Sequence, residues 1–368
     1  MRKPWIIWML MLASAGAALA CSTPVFRYAI ERWEADPYRL MIFTDGELTT
    51  EQQETIRDFK KYERFGFRQP PLMVQQADIS AVTNLSATVW AEISTNQAAP
   101  AVALLYPSIM RDHSVVWTDD LSANALNRIV MSPVRLETAN RLLGGDAAVW
   151  LLIPGDDPAE NDSVRKLLDT QLRQLEETVE YNADFLALAA EAGAEVPELN
   201  FSVLEVDRSD SQESVLMAML TRLSPEAAEH SGAIVIPVFG QGRAVVLMMG
   251  EYIADQYIKR VAEFLTGACS CEVKSLNPGF DILIPVDWIG GITEEYVFDA
   301  ELPPLTGPTA LETPQEPPVE LLPAPEEERI EDIVHPEKSL FWSVLGVFGI
   351  AVLAAMAFTG WLLLRKNH

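Results

Sequence analysis

Histidine and cysteine are the scarce residues of this 368-residue chain, four of the first and three of the second. Three thiols, Cys21, Cys269 and Cys271, cannot staple a scaffold as small secreted domains do, so the fold must rest on an apolar core. The histidines, His113, His230, His335 and His368, are scattered with no i, i+4 pair, and no zinc-ligand spacing occurs, which leaves no metal site to assign. Basic side chains are short as well: 27 Lys and Arg stand against 53 Asp and Glu, for a net charge of −26. Neutralising phosphates requires clusters of Lys and Arg, so nucleic acid is excluded as a partner. Acidity of this kind reads as the solubility of an exported surface. Neither a G-x-S-x-G nor a P-loop is present, and no cofactor is implied. The one G-x-G, Gly240-Gln241-Gly242, lies between two apolar runs instead of opening a helix, which makes it a hairpin turn and not a phosphate cradle.

Two apolar ends are what the chain does have. Residues 1–20 carry Arg2 and Lys3, an apolar stretch from Trp5 to Leu12, and the small-residue end Ala18-Leu19-Ala20, the three parts of a secretory signal peptide that is removed. Cleavage there makes Cys21 the first residue. The Ala-Leu-Ala end fits an ordinary cleavage site better than a Leu-first box resembling that of lipoproteins, with a lipidated Cys21 as the alternative. At the other end, residues 340–364 form a charge-free run of 25, long enough for one transmembrane helix across about 30 Å of hydrocarbon. Arg365 and Lys366 follow at once and place the tail, residues 365–368, in the cytoplasm by the positive-inside rule. The expected location is the bacterial inner (cytoplasmic) membrane, single-pass, with the bulk of the chain periplasmic.

Between the ends, composition divides the chain again. Residues 299–338 hold nine prolines and eleven Asp and Glu against Arg329 and Lys338. Such a segment cannot bury a core, and its prolines and self-repulsion favour an extended, disordered stalk. Residues 21–298 remain for folded structure, comfortable for two domains. Residues 38–43 (YRLMIF) predict a buried strand and 49–62 a polar helix capped by Thr49 or Thr50. Strands follow at 72–77, 101–106 and 114–118, then a helical stretch over 122–143 interrupted at Pro133 and stopped by Gly144-Gly145. The pattern then restarts. A strand at 147–153, a long helix opened by Asp162 or Ser163, a strand at 201–206, a helix at 212–223, a hairpin of 233–239 with 244–249, and a helix at 251–266 complete it.

A βαβ unit followed by a ββα unit is the element order of the thioredoxin fold, and residues 201–265, from the strand FSVLEV through AIVIPVFGQGRAVVLM to the last helix, resemble that fold's second half. The first copy adds Ala99-Pro100 directly before a strand, where thioredoxins carry a cis-proline, so Pro100 is its candidate. The fold class implied is α/β with two tandem thioredoxin-like domains, 21–145 and 146–298, the second ending in a hairpin. The opening Cys21-Ser22-Thr23-Pro24-Val25-Phe26-Arg27-Tyr28 is also similar to those of an uncharacterised family of exported bacterial proteins, which lends no activity.

Thioredoxin catalysis uses Cys-x-x-Cys in the turn after the first strand, where a helix N-terminus favours the thiolate. Neither copy has it. The turns read Thr44-Asp45-Gly46-Glu47 and Pro154-Gly155-Asp156-Asp157, and the second copy has Pro237 inside its strand instead of a proline before it. No catalytic residue is assigned. Cys269 and Cys271 follow the last helix, whose negative end, with Glu272, disfavours a thiolate; with Cys21 they offer a disulfide, a redox pair or a thiolate metal site. The acid pairs Asp119-Asp120 and Asp156-Asp157 read as helix caps, and the Asn84-Leu85-Ser86 sequon as idle. The expected function is a membrane-anchored extracytoplasmic module that binds or assembles a protein partner. An exported thiol oxidoreductase or metal-handling protein using Cys269 and Cys271 is the alternative. The 280–288 segment, FDILIPVDW, is apolar enough to pack on a neighbour or on the second sheet.

Overall fold

The computed structural model describes residues 23–60, 71–110, 114–193, 196–222, 224–268 and 274–291. The expected signal peptide, stalk, membrane span and tail lie outside the described residues, as do Cys21, Cys269 and Cys271. Among the described residues, no helix is long and apolar enough to cross a membrane.

Helix α1 (Val25–Arg32) leads into β1 (Tyr38–Thr44), α2 (Thr50–Phe59), β2 (Leu72–Asp78), α3 (Asn84–Ile93), β3 (Ala101–Leu105), β4 (Val115–Asp120), α4 (Ala123–Val130) and α5 (Pro133–Leu143). The chain continues with β5 (Ala148–Ile153), α6 (Pro158–Thr178), α7 (Ala183–Ala192), β6 (Phe201–Glu205), α8 (Ser214–Thr221), α9 (Pro225–Glu229) and β7 (Ile234–Phe239). Two short strands, β8 (Arg243–Ala244) and β9 (Met248–Met249), α10 (Asp255–Thr266), β10 (Phe280–Asp281) and α11 (Trp288–Gly291) close it.

The strands form two sheets in a mixed α/β architecture. The first has the order β2-β1-β3-β4, with β1 parallel to β2 and antiparallel to β3, and β3 antiparallel to β4. In the second, β5 is parallel to β6 and antiparallel to β7, in the order β10-β8-β7-β5-β6 with β9 also on β7. Each sheet therefore has the pairing that a βαβ unit followed by a ββ unit generates.

Local chemistry sets the element ends. Thr49 Oγ1 accepts the Gln52 N–H at 3.2 Å while Gln52 Oε1 accepts the Thr49 N–H at 3.0 Å, a reciprocal cap for α2. Ser132 accepts from the Arg135 N–H at 3.1 Å and Pro133 takes the first position of α5, so the proline expected to interrupt one helix begins a second. Helix α6 starts earlier than the apolar spacing predicts, because Asp157 caps the Ala159 N–H at 2.9 Å and Pro158 is already helical. Val164, Leu168, Leu172 and Leu175 are its buried stripe.

The expected strand over 244–249 is split. Val238 faces Ala244, whereas Val235 faces Met248, so the register slips by one residue between β8 and β9. The slip lies opposite Pro237, which has no N–H for the ladder and accepts only from the Val245 N–H at 2.9 Å. The 280–288 segment pairs for just two residues, Phe280 and Asp281, against β8, and Ile282, Leu283 and Ile284 are buried within this chain. It packs on the second sheet, with β10 as that sheet's edge strand.

Strand alternation builds three apolar clusters. Tyr38, Leu40 and Ile42 of β1 share one core with Val149, Leu151 and Ile153 of β5, together with Leu126 and Ile129 of α4 and Leu216 and Met219 of α8. Met41 and Phe43 turn the other way, onto Val89 and Ile93 of α3. Trp150 and Leu152 of β5 face a third cluster containing Leu168 of α6, Ile258 of α10, and Val25, Phe26 and Ala29 of α1. Thus α1 packs on the second sheet.

Candidate functional site

The turns after β1 and β5, where a thioredoxin-like catalytic pair would stand, are built differently. At the first, Phe43 pairs with Ala101, so one step further Thr44 comes opposite Pro100. The Ala99–Pro100 bond is cis, and the Pro100 carbonyl accepts the Leu121 N–H at 3.0 Å. Asp45, Gly46 and Glu47 are exposed, and Gly46 sits at φ 71°, where a residue without Cβ is favoured. This turn is open, with two carboxylates and no nucleophile.

At the second, the Gly155 N–H donates to Asn161 Oδ1 at 2.7 Å and Asn161 Nδ2 donates to the Gly155 carbonyl at 2.9 Å. The Asp156 N–H donates to the Ser231 carbonyl at 2.8 Å. Gly155 lies so close to the opposite backbone that a Cβ on it would stand 2.4 Å from the Gly232 carbonyl carbon. Arg208 holds that opposing strand entry by donating to the His230 and Gly232 carbonyls, both at 2.7 Å. The chain's own backbone closes the position.

The acid pairs divide. Asp157 is the cap of α6, as expected. Asp119 is not a cap: it pairs with Arg128, whose guanidinium lies 5.2 Å from the Trp117 ring centre, and Ser122 caps α4 instead, accepting from the Ala125 N–H at 3.1 Å. Among the described residues, no group of three or more His, Cys, Asp or Glu could hold a metal ion.

Two buried ionic clusters escaped sequence reasoning, since their members are far apart in the chain. Asp281 accepts from Arg243 Nη1 at 3.0 Å and from the Asp36 N–H at 2.7 Å, and it also pairs with Lys274. Lys274 reaches Asp36 at 3.2 Å and the Glu34 carbonyl at 2.6 Å, while Arg243 donates to the Asn277 and Pro278 carbonyls at 2.8 and 2.9 Å. Burial and the neighbouring Asp281 charge raise the Asp36 carboxyl above its ordinary range. This cluster clasps the entry to β1 against β8 and the 274–284 segment. In the other, Glu213 accepts from Ser132 and from the Val134 N–H at 2.9 Å, while buried Arg135 donates to the Leu283 and Arg128 carbonyls at 2.5 and 3.0 Å. Burial lowers Arg135 to about 10, against the opposing charge of Glu213.

A narrow cleft of about 30 Å³ runs between α1 and the end of α5, lined by Phe26, Ile30, Leu142 and Leu143 with the Arg27–Glu31 ion pair and Asp146. Burial raises both the Glu31 and the Asp146 carboxyls. All its charged groups are internal partners of other protein groups, Asp146 accepting from Ser202.

No family model matches this chain, and neither does any curated protein sequence. The similarity of the opening to an exported bacterial family therefore finds no support. Similar solved structures include zinc-bound human ERp44, 10% identical over 63% of this chain and 53% of that one, with a TM-score of 0.20. The first two thioredoxin domains of Saccharomyces cerevisiae Eps1p are 10% identical over 64% of this chain and 94% of that one, at 0.21. Full-length ERdj5 is 8% identical over 69% and 33%, at 0.20. The chain spans about half the length of ERp44 and a third of ERdj5.

Proposed function

We propose that this chain is a membrane-anchored, extracytoplasmic protein-binding or assembly module built on two thioredoxin-like halves that have no catalytic thiols. What supports the thioredoxin-like reading is the pairing within each sheet, a parallel β1–β2 or β5–β6 beside an antiparallel β1–β3 or β5–β7. The observation that carries the non-catalytic reading is the pair of strand-end turns: one offers only exposed Asp45 and Glu47, and the other is closed by Gly155 against Gly232. With the chemistry removed from both positions, binding is the role left to the fold. The signal peptide, acidic stalk and transmembrane run would hold the folded part in the periplasm, away from the inner membrane.

The test compares the full chain with a Cys269→Ser, Cys271→Ser double variant in an insulin-reduction assay, in a metal analysis and in co-purification from cross-linked membranes. Neither form is expected to turn over disulfides or to hold stoichiometric metal, and both are expected to retain the same cross-linked protein. Turnover, or bound copper or zinc, that disappears in the double variant would establish the oxidoreductase or metal-handling alternative in its place.

A further inference from the structure

We infer that the clasp of Asp36, Lys274, Asp281 and Arg243 is a proton-operated latch. Protonated Asp36 tightens the joint between the entry to β1 and the 274–284 segment, and charged Asp36 loosens it. The observation is the unequal way in which two carboxylates divide two cations. Asp281 accepts from Arg243 at Oδ1 and from both Lys274 and the Asp36 N–H at Oδ2. With its side chain only 2% exposed, Asp281 has its charge met on every side by donors. Among the described residues the Asp36 carboxyl reaches one cation, Lys274 at 3.2 Å, and that cation is already engaged by Asp281. The Asp36 side chain is 25% exposed, so water replaces only part of the hydration it gave up.

The charged groups facing Asp36 come from two elements: Asp281 and Lys274 from the 274–284 segment, and Arg243 from β8. On its own segment, buried Tyr38 donates its hydroxyl to the Asp281 carbonyl at 2.8 Å, and burial keeps that phenol neutral. Glu34 enters through its carbonyl, which accepts from Lys274 at 2.6 Å. Burial first, and then the Asp281 charge, disfavour the Asp36 carboxylate, and together they outweigh the attraction of Lys274 and Arg243.

A carboxyl that titrates higher in the folded protein than in the unfolded chain takes up a proton on folding at any pH between the two values. Folding is therefore penalised while Asp36 is charged, above its folded value. The penalty is relieved as pH falls through that value toward the unfolded one, about 3.9 for aspartate. A joint held by the Asp36 charge itself would behave in the opposite way and weaken on acidification. Because the joint holds β10 on β8 and Tyr38 at the start of β1, the surrounding pH sets how firmly these segments are fastened. The latch goes beyond the binding role proposed above and does not depend on it.

The experiment follows urea unfolding of the purified full chain in detergent between about pH 5 and about pH 8, for wild type and for Asp36→Asn, which keeps the shape and removes the charge. Asp36→Asn should have the higher midpoint at the alkaline end, and the two midpoints should converge toward the acid end. Hydrogen exchange should place the gain in peptides covering residues 34–40 and 274–284. Lys274→Met, which takes away the shared cation, should move the pH response to higher pH. An Asp36→Asn midpoint below that of wild type at the alkaline end, or one that follows wild type in parallel across the range, would overturn the inference. So would a response that Lys274→Met moves to lower pH.

Discussion

After β2, Asp78 Oδ1 accepts both the N–H and the hydroxyl of Ser80, at 2.8 and 2.6 Å; after β6, Asp207 Oδ1 does the same for Ser209, at 2.8 and 2.7 Å. The ladder runs differently into the two turns: the Ile79 N–H, one residue after Asp78, donates to the Thr44 carbonyl, whereas the Val206 N–H, one residue before Asp207, donates to the Leu152 carbonyl, each at 2.9 Å. The two sheets still share the carboxylate turn at the ends of their parallel partners. At the ends of β1 and β5 they part: residues 45–47 face solvent, whereas Gly155 is bonded to Asn161 of α6 and Asp156 to the Ser231 carbonyl ahead of β7. The two sheets are alike where a carboxylate turn ends the parallel partner and differ in the turns after β1 and β5. The second sheet has also taken on other duties, since it receives α1 and pairs β8 with β10.

Removing the clasp should have the largest effect, because it ties the entry to β1 to β8 and the 274–284 segment. Asp281→Ala would leave Arg243 and Lys274 without their buried carboxylate, and losing one partner of a buried ion pair costs about 3–5 kcal/mol. The expected result is a loss of that size in denaturant unfolding, with α1 and the 274–284 segment losing hydrogen-exchange protection before β1 to β4. Uniform loss across both sheets would mean that the shared core unfolds as one unit.

A glycine pair measures the contrast between the open and closed turns directly. In Gly155→Ala the new methyl meets Gly232 backbone, which cannot swing aside, and overpacking of this kind costs about 3 kcal/mol. In Gly46→Ala nothing lies within 4 Å, so only the left-handed backbone is penalised, about 1–2 kcal/mol. Equal losses for the two variants by denaturant unfolding would show that the second turn is no more tightly held than the first.

How far the sequence could reveal this depends on the range of each interaction. Periodicity and caps are local, so the strands at 38–43 and 147–153, the Thr49 cap and the Gly240 turn were all legible. Helix α3 was missed because Leu85, Ala87, Val89, Trp90, Ala91 and Ile93 spread apolar residues around it while only Ser86, Val89 and Ile93 are buried, so no single stripe stands out. The split of β8 from β9 depends on which edge of β7 the missing Pro237 N–H would face, something known only after strands are paired. Asp36 and Asp281 are 245 residues apart, and no spacing rule links them. The closed second turn needed two glycines, Gly155 and Gly232, in contact across the sheet, and each alone looked like an ordinary turn residue.

The smallest effect tests the part of the plan that both sheets keep. The Ser80 hydroxyl, then its N–H, stabilises the charged form of Asp78, and Ser209 does the same for Asp207, so both carboxyls titrate below the ordinary aspartate range. A depressed carboxyl contributes stability that is present above its unfolded value and lost as pH falls through its folded one. Both groups are fully exposed, so the effect belongs in a titration curve and not in a melting experiment. Carboxyl-carbon NMR should place the two midpoints together, and Ser80→Ala and Ser209→Ala should move each upward by the same amount while the backbone bond holds part of the shift. Midpoints that differ, or that respond unequally to losing the hydroxyl, would mean that even these matched turns have diverged, and that the two sheets share strand order without sharing the local chemistry that sets it.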